Sequence, residues 1–252
     1  MRSLASTALR SLFDSLLVPS CLDCGDLVPS LSPFDFPVCA ACAEGFERIL
    51  PPACGRCGVP LPAAARAAVR CGPCRTHPPD FRRAAAAFVY GGPVARIVLR
   101  LKYGREAWLA PPLGRVLAAA AHASGLGAAT AAGAVVVAVP LAPARLRSRG
   151  YNQAVLLGRA AARTLGLPLA ADALARARDP GPQDHHGRRE RRERVAGCFA
   201  VTTRGARVVE GRPVLLVDDV ITTGATASEC ARVLLAAGAA SVDVIAVARA
   251  VS

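Results

Sequence analysis

Four Cys-x-x-Cys pairs fall within 54 residues near the start of the 252-residue chain: Cys21/Cys24, Cys39/Cys42, Cys54/Cys57 and Cys71/Cys74. Successive pairs are separated by 14, 11 and 13 residues. Paired cysteines suit disulfides in a secreted chain or metal ligation in a cytosolic one, and here the spacing decides. One such knuckle turns two thiolates toward a point, and a second knuckle across a short hairpin completes a tetrahedron around zinc. Gly25, Gly58 and Gly72 directly follow a cysteine, as the tight turns of such knuckles require. Four thiolates leave no open coordination position, so the two expected zinc ions are structural. A segment this rich in Pro, Gly and Ala could not bury enough core to fold without them. Sequential pairing groups Cys21, Cys24, Cys39 and Cys42 in one site and Cys54, Cys57, Cys71 and Cys74 in the other. An interleaved, cross-braced pairing closes both sites equally well. Cys198 and Cys230 stand apart and read as inert buried thiols, since no histidine lies near either in sequence.

This spacing divides the chain into an N-terminal segment over 1–20, a small zinc domain over 21–80 and a larger domain over 81–252. Leu4, Ala8, Leu12 and Leu16, with Leu9, Phe13 and Leu17, form one helical stripe, which predicts an amphipathic helix over 1–20. Arg10 and Asp14 interrupt that stretch, so it does not read as a secretory or membrane segment. Residues 117–140 are apolar but broken by His122, Ser124, Gly125 and Gly127, which suggests a helix end, a loop and a buried strand. No membrane insertion is expected, and the cytoplasm is the expected location. The formal charge is +13, and eight thiolates with two zinc ions would bring it to about +9. Among 31 basic residues, Lys102 is the sole lysine. It is either a stray surface residue or a place where a compact ammonium fits and a planar guanidinium does not.

From about Phe81 the sequence alternates apolar, β-branched runs with helical stretches. Strands are predicted over Ala84–Tyr90, Ala134–Val139, Pro213–Val217 and Ser241–Ala248, and helices over Pro93–Leu101, Ala107–Ala121, Asn152–Leu165 and Ala225–Ala237. This order predicts an α/β fold with a parallel sheet covered by helices on both faces. Ligands bind such sheets at the carboxyl ends of the strands. The run Val214–Val217 leads into Asp218 and Asp219, then Val220, Ile221, Thr222, Thr223, Gly224, Ala225 and Thr226. Two adjacent carboxylates point to different sides and can each hold a hydroxyl of a sugar diol. The following residues offer amides, hydroxyls and a glycine at a helix N-terminus, which is a cradle for phosphate. Together they describe a ribose 5-phosphate site. An acidic helix cap with no ligand is the plainer alternative.

These residues resemble the signature of type I phosphoribosyltransferases, which bind phosphoribosyl diphosphate. Val139-Pro140-Leu141, the arginines 145, 147 and 149, and Gly150-Tyr151-Asn152-Gln153 resemble the pyrophosphate-loop region of the ComF family of competence proteins. Leu101-Lys102-Tyr103 and the segment from Gln183 through Glu190-Arg191 to Phe199 are similar to that family as well, as is the layout of a double zinc ribbon before a phosphoribosyltransferase-like domain. The resemblance implies that Asp218 and Asp219 hold the ribose hydroxyls, with Mg²⁺ bridging ribose and diphosphate oxygens. It implies that Thr222, Thr223, Gly224, Ala225 and Thr226 cradle the 5-phosphate, and that Arg149, Gly150, Tyr151 and Asn152 face the diphosphate. Lys102 and Arg149 are the candidate catalytic groups. The chain departs from the family pattern at His186, where leucine is expected, and at Arg194, where asparagine is expected. Both lie in a long loop over Arg176–Arg194 that would close over the site as a lid. His185 and His186 have no matching metal ligands nearby, and Arg188–Arg194 reads as a solvated helical face.

Two functions follow from the resemblance. One is transfer of phosphoribosyl to an acceptor with release of diphosphate. Some purine-salvage relatives carry an aspartate, able to act as general base, at the position of Thr222; this chain does not. The other is a non-catalytic protein of DNA uptake in natural transformation, which handles single-stranded DNA and uses the phosphoribosyl site as a sensor or an adapted nucleotide site, with single-stranded DNA or DNA-uptake proteins as partners. The basic charge and the ribbons fit nucleic-acid or protein partners. However, one tryptophan (Trp108), three tyrosines and seven phenylalanines offer little for base stacking.

Overall fold

A computed structural model describes residues 19–28, 36–65, 69–126, 133–178 and 188–251. The expected N-terminal helix, together with Asp184, His185 and His186, lies outside the described residues. Two short helices belong to the cysteine knuckles, α1 (Ala40–Ala43) and α2 (Gly72–Thr76). The larger domain opens with β1 (Arg83–Val89), which leads into α3 (Gly92–Tyr103). A 3₁₀ turn at Ala107–Leu109 precedes α4 (Ala110–Ala123), and β2 (Val135–Ala138) follows. Next come α5 (Pro143–Arg149), α6 (Gln153–Leu165), β3 (Leu169–Ala170) and β4 (Leu174–Arg176). The chain then forms α7 (Arg188–Val195), β5 (Phe199–Val201) and α8 (Thr203–Val209). It ends with β6 (Pro213–Ile221), α9 (Ala225–Ala236) and β7 (Ser241–Arg249).

The main sheet has the order β1-β7-β6-β2-β3, with every pair parallel. β4 and β5 form a separate antiparallel pair. All four predicted strands are present, and so are the four predicted helices. The notable boundary difference is at β6, which runs four residues beyond the predicted Val217 and so contains Asp218 and Asp219. Its partner β7 runs equally far, pairing Val220 with Ala248 and Ile221 with Arg249.

Alternation along the strands sorts the core into two faces. Val135, Val137, Val214, Leu216, Val244 and Ala246 pack with Cys230, Ala231 and Leu234 of α9. Val136, Leu215, Val217, Ile245 and Val247 face the other way, with Ile97 and Leu101 of α3, Leu113 and Leu117 of α4, and Leu157 and Ala161 of α6. Local signals fix these helices. α3 starts at Gly92-Pro93 and buries Val94, Ile97, Val98 and Leu101 on one stripe. α6 is capped by the Asn152 side chain, which accepts from the Ala154 amide, and it ends at Gly166 in the left-handed region.

The cysteine-rich segment straddles the outer edge of the sheet. Residues 47–49 run antiparallel to β1, with the Ile49 amide donating to Ala87 O at 3.0 Å and the Val89 amide to Glu47 O at 2.8 Å. Cys21, Phe36 and Phe46 join the core face that holds α3 and α4, whereas Cys54, Cys57, Cys74 and Phe81 join the face that holds α9. Phe88 closes the first contact, its ring centroid 5.3 Å from that of Phe46 and 6.2 Å from that of Phe36. Among the described residues, no helix is long and apolar enough to cross a membrane.

The tightest helix contact is α4 on α6. A Cβ at Gly114 would lie 2.3 Å from Ala160 Cβ, 2.9 Å from Leu157 O and 3.0 Å from Ala161 N. Gly114→Ala should therefore cost roughly 1–3 kcal/mol by overpacking, read as a lower midpoint in thermal or urea unfolding. Adding Ala160→Gly should restore only part of the loss, because two of the three clashes are with backbone.

Candidate functional site

The connections in this sheet reverse direction between β2 and β6. From β2 the chain moves outward through α6 to β3, whereas from β6 it returns through α9 to β7 on the opposite face. Right-handed crossovers make the loops after these two neighbouring strands diverge, which opens a crevice at their carboxyl ends. The segments 139–152 and 218–226 line it. They are tied at the base, where the Val139 amide donates to Val217 O at 3.0 Å.

Because Asp218 and Asp219 are in a strand, their side chains leave on opposite faces. Asp219 is buried and faces α3, where Lys102 Nζ lies 2.9 Å from its Oδ1. The other oxygen, Oδ2, is buried without a hydrogen-bond partner among the described residues. An acceptor left in this state costs free energy until a hydroxyl or cation reaches it. Asp218 accepts the Asp219 amide at 2.8 Å. Burial, then the neighbouring Asp219 charge, raise its carboxyl to about 7 against the pull of Lys102. For Lys102, burial disfavours the ammonium but Asp219 outweighs it, so the group is held above its ordinary value and stays charged.

The loop after β6 turns at Gly224, whose φ of 82° lies in the left-handed region, and α9 begins at the next residue. Gly224 carries no side chain to cap the helix, so, apart from the Ala225 amide that Thr223 takes, the first-turn amides and the dipole are left for an anion. Thr222 is exposed, and Thr223 and Thr226 are half-buried beside it. The Thr223 hydroxyl accepts the Ala225 amide at 3.3 Å.

On the other wall, Gly150 ends α5 in the left-handed region and Asn152 begins α6. Asn152 spends its side chain there, accepting from Ala154 N and donating to Val139 O at 3.0 Å. Tyr151 donates its hydroxyl to Leu101 O at 2.6 Å. Arg149 is buried, donates to Gln153 Oε1, and lies 5.1 Å from the centroid of the Tyr103 ring. These contacts bring the end of α3, with Lys102, against the 149–152 segment. The predicted residues therefore converge on one crevice, although Asn152, Tyr151 and Arg149 are engaged in holding its walls. Sequence reasoning named Gln153 only as part of its motif and gave no role to Phe81 or Arg249. Arg249 was signalled only as a charge directly after the apolar run Val244–Ala248.

The cysteines form two tetrads in the sequential pairing, each with its four ligand atoms within 4.8 Å of one another. The Cys24–Cys39 and Cys57–Cys71 sulfur separations are both 3.7 Å. A zinc tetrahedron with Zn–S near 2.3 Å has edges of about 3.8 Å, so the donor sets fit the metal. Backbone amides point at the sulfurs, as with Cys71 N on Cys54 Sγ at 3.3 Å. Burial raises the thiols, but such amides outweigh it and hold Cys21 at about 6 and Cys54 at about 7. Cys198 and Cys230 are fully buried, and burial pushes the Cys230 thiol up, as expected of inert thiols. Of the segment Arg176–Arg194, expected to act as a lid, residues 179–187 lie outside the described residues; within the rest, Glu190 and Glu193 of α7 are exposed.

Two outcomes follow. Elemental analysis of protein purified without added metal should give about two zinc ions per chain. The raised Asp218 carboxyl makes the folded state bind more protons than the unfolded state between the ordinary carboxylate value and about 7. Stability is therefore lost as pH rises through that window. Asp218→Asn should raise the melting temperature of the free protein most above pH 7. The gain should shrink as pH falls and vanish near pH 4, and a pH series of melting curves reads it directly.

The chain matches the phosphoribosyl transferase domain over residues 152–252 and the double zinc ribbon domain over residues 12–75. It is 32% identical over 211 residues to the DNA utilization protein YhgH of Salmonella typhimurium, covering 82% of this chain and 88% of that one. It is 29% identical over 213 residues to competence protein F of Haemophilus influenzae, covering 84% of this chain and 90% of that one. The structure aligns with a phosphoribosylpyrophosphate synthetase from Mycobacterium smegmatis over 54% of this chain and 33% of that one, at 20% identity and a TM-score of 0.34. With a relative above 30% identity along most of both chains, and with both domains matched in order, the chain belongs to the ComF family, a double zinc ribbon joined to a phosphoribosyltransferase domain.

Proposed function

We propose that the chain binds phosphoribosyl diphosphate in the crevice between 139–152 and 218–226, and that it does so in the cytoplasm in the service of DNA utilization. The observation that carries this reading is the pair Asp218 and Asp219 beside the start of α9, whose first residue follows a glycine with no capping side chain, with one buried carboxylate oxygen lacking a hydrogen-bond partner among the described residues. In this reading the acids take the ribose hydroxyls. The amides and hydroxyls of Thr222, Thr223, Gly224, Ala225 and Thr226 take the 5-phosphate. Mg²⁺ carried with the ligand would neutralise diphosphate charge between the ligand oxygens and the acid pair. Lys102, freed from Asp219, and the Gly150 backbone would face the diphosphate. The two zinc ions complete the fold of the ribbons. The names of the relatives supply the link to DNA uptake.

Within this site class the reaction is transfer of phosphoribosyl to an acceptor, with diphosphate leaving. One observation favours a sensing role instead: the exposed residue at the mouth of the loop is Thr222, which supplies no carboxylate to deprotonate a nucleobase. Diphosphate release in the presence of candidate acceptors, followed by ³¹P NMR, separates the two readings.

Calorimetry with phosphoribosyl diphosphate and Mg²⁺ tests the site itself. Asp218→Asn or Asp219→Asn should each remove a charge-assisted hydrogen bond, costing roughly 1.5–3 kcal/mol, or about ten- to a hundredfold in affinity. Unchanged affinity in the double variant would refute the placement of the ribose. Lys102→Arg should weaken binding nearly as much as Lys102→Ala, since a guanidinium is larger and planar and would replace a compact, half-buried ammonium set beside Asp219. Wild-type affinity in Lys102→Arg would mean that only a positive charge is needed.

A further inference from the structure

Arg249 ends β7, is 1% exposed, and is among the largest fully buried side chains of the protein. Its Nη1 donates to the carbonyls of Ile221 and Ala250, each at 2.9 Å, and to that of Thr222. Its Nε donates to Cys57 O at 3.1 Å. Nη2 is buried without a partner among the described residues. Among the described residues all the partners of this guanidinium are backbone carbonyls, and none is a carboxylate. A buried cation without a counter-ion is expensive to maintain, so its position calls for an explanation.

Its geometry supplies one. Ile221 and Thr222 turn their carbonyls inward onto Arg249 at the start of the loop that opens α9, and Gly224, in the left-handed region, then turns the chain into the helix. The positive charge lies beneath the carbonyl side of a cradle built for a dianion. On its other side the same guanidinium holds Cys57, whose thiol belongs to the second cysteine tetrad. A parallel path reinforces this link. Arg56 Nη2 donates to Pro79 O at 2.6 Å, and Ser228 of α9 both donates to Asp80 and accepts the Asp80 amide. Phe81 lies directly under Gly224, with a Cβ there only 3.7 Å from its ring. Among the described residues the first tetrad has no hydrogen-bonded path to this loop: it packs on the opposite face of the sheet, where Arg96 and Arg100 of α3 hold Asp23 and the Leu22 carbonyl.

We propose that Arg249 is the positioning residue of the phosphate loop, and that it ties the order of residues 221–226 to closure of the second cysteine tetrad but not the first. The claim deepens the phosphoribosyl reading, since it concerns the same loop, yet it is testable without any phosphoribosyl ligand. Zinc is withdrawn stepwise from the wild-type full-length protein with a chelator. Alkylation mapped by mass spectrometry then reports which cysteines are free, and hydrogen exchange is read on the same samples. Exchange at 221–228 should rise at least about tenfold in step with opening of Cys54, Cys57, Cys71 and Cys74, and should not respond when only Cys21, Cys24, Cys39 and Cys42 have opened. Val214–Val217 should stay protected throughout. Loop exchange that ignores the second tetrad, or that follows the first, would overturn the proposal. So would loss of protection in Val214–Val217 at the same step, because the tetrad would then be holding the whole sheet. In Arg249→Gln, exchange should rise at both the loop and residues 54–58 before any chelator is added, and zinc should leave the second tetrad faster. If this variant retains native exchange at both ends, Arg249 does not position the loop. Calorimetric binding of phosphoribosyl diphosphate is scored separately, so failure of the ligand reading and failure of the coupling give different results.

Discussion

The pairing of β6 with β7 continues beyond the point where β2 ends, and the crevice depends on that extra length. Had β6 stopped at Val217, the two aspartates would sit in a loop with no fixed direction. As strand residues they are forced to opposite faces, Asp218 toward α9 and Asp219 toward α3. The same register brings Arg249 level with Ile221, so the residue that receives the loop carbonyls is placed by the strand pairing itself. The parallel ladder thus sets the direction of the acids and the posture of the turn that follows them.

Much of this was legible from residue patterns. The four apolar runs became four parallel strands, and the glycine after two threonines marked the turn into α9. The cysteine spacing announced two closed tetrads but left their pairing open, because both arrangements satisfy tetrahedral ligation; only the three-dimensional positions separate them. α5 and α8 were not anticipated. Each is seven residues long, and α5 is polar around most of its circumference, so neither shows an apolar stripe. The end of β6 was misplaced for a different reason. Aspartate disfavours strands, and only pairing with β7 and the Lys102 contact make two of them tolerable there.

In the free site, Lys102 and Asp219 neutralise one another, which is why a buried ammonium and two adjoining carboxylates can coexist. Entry of a polyanion accompanied by a cation then becomes an exchange of partners: the cation can replace the lysine at the acids, and the lysine can turn to the anion. Such an exchange leaves little net charge to bury, which favours selectivity for a ligand that brings both signs together.

The antiparallel run of residues 47–49 along β1 has a consequence for the life of the protein outside its site. β1, itself rich in alanine, is the edge of the sheet, and an uncovered edge is a template for pairing with other chains. Its cover is a short connector strung between the two cysteine tetrads, with no sheet of its own to hold it in place. Chains that have not acquired metal would therefore present an open strand to their neighbours. With zinc in the tetrads, metal supply would bear on aggregation during synthesis as well as on the finished structure.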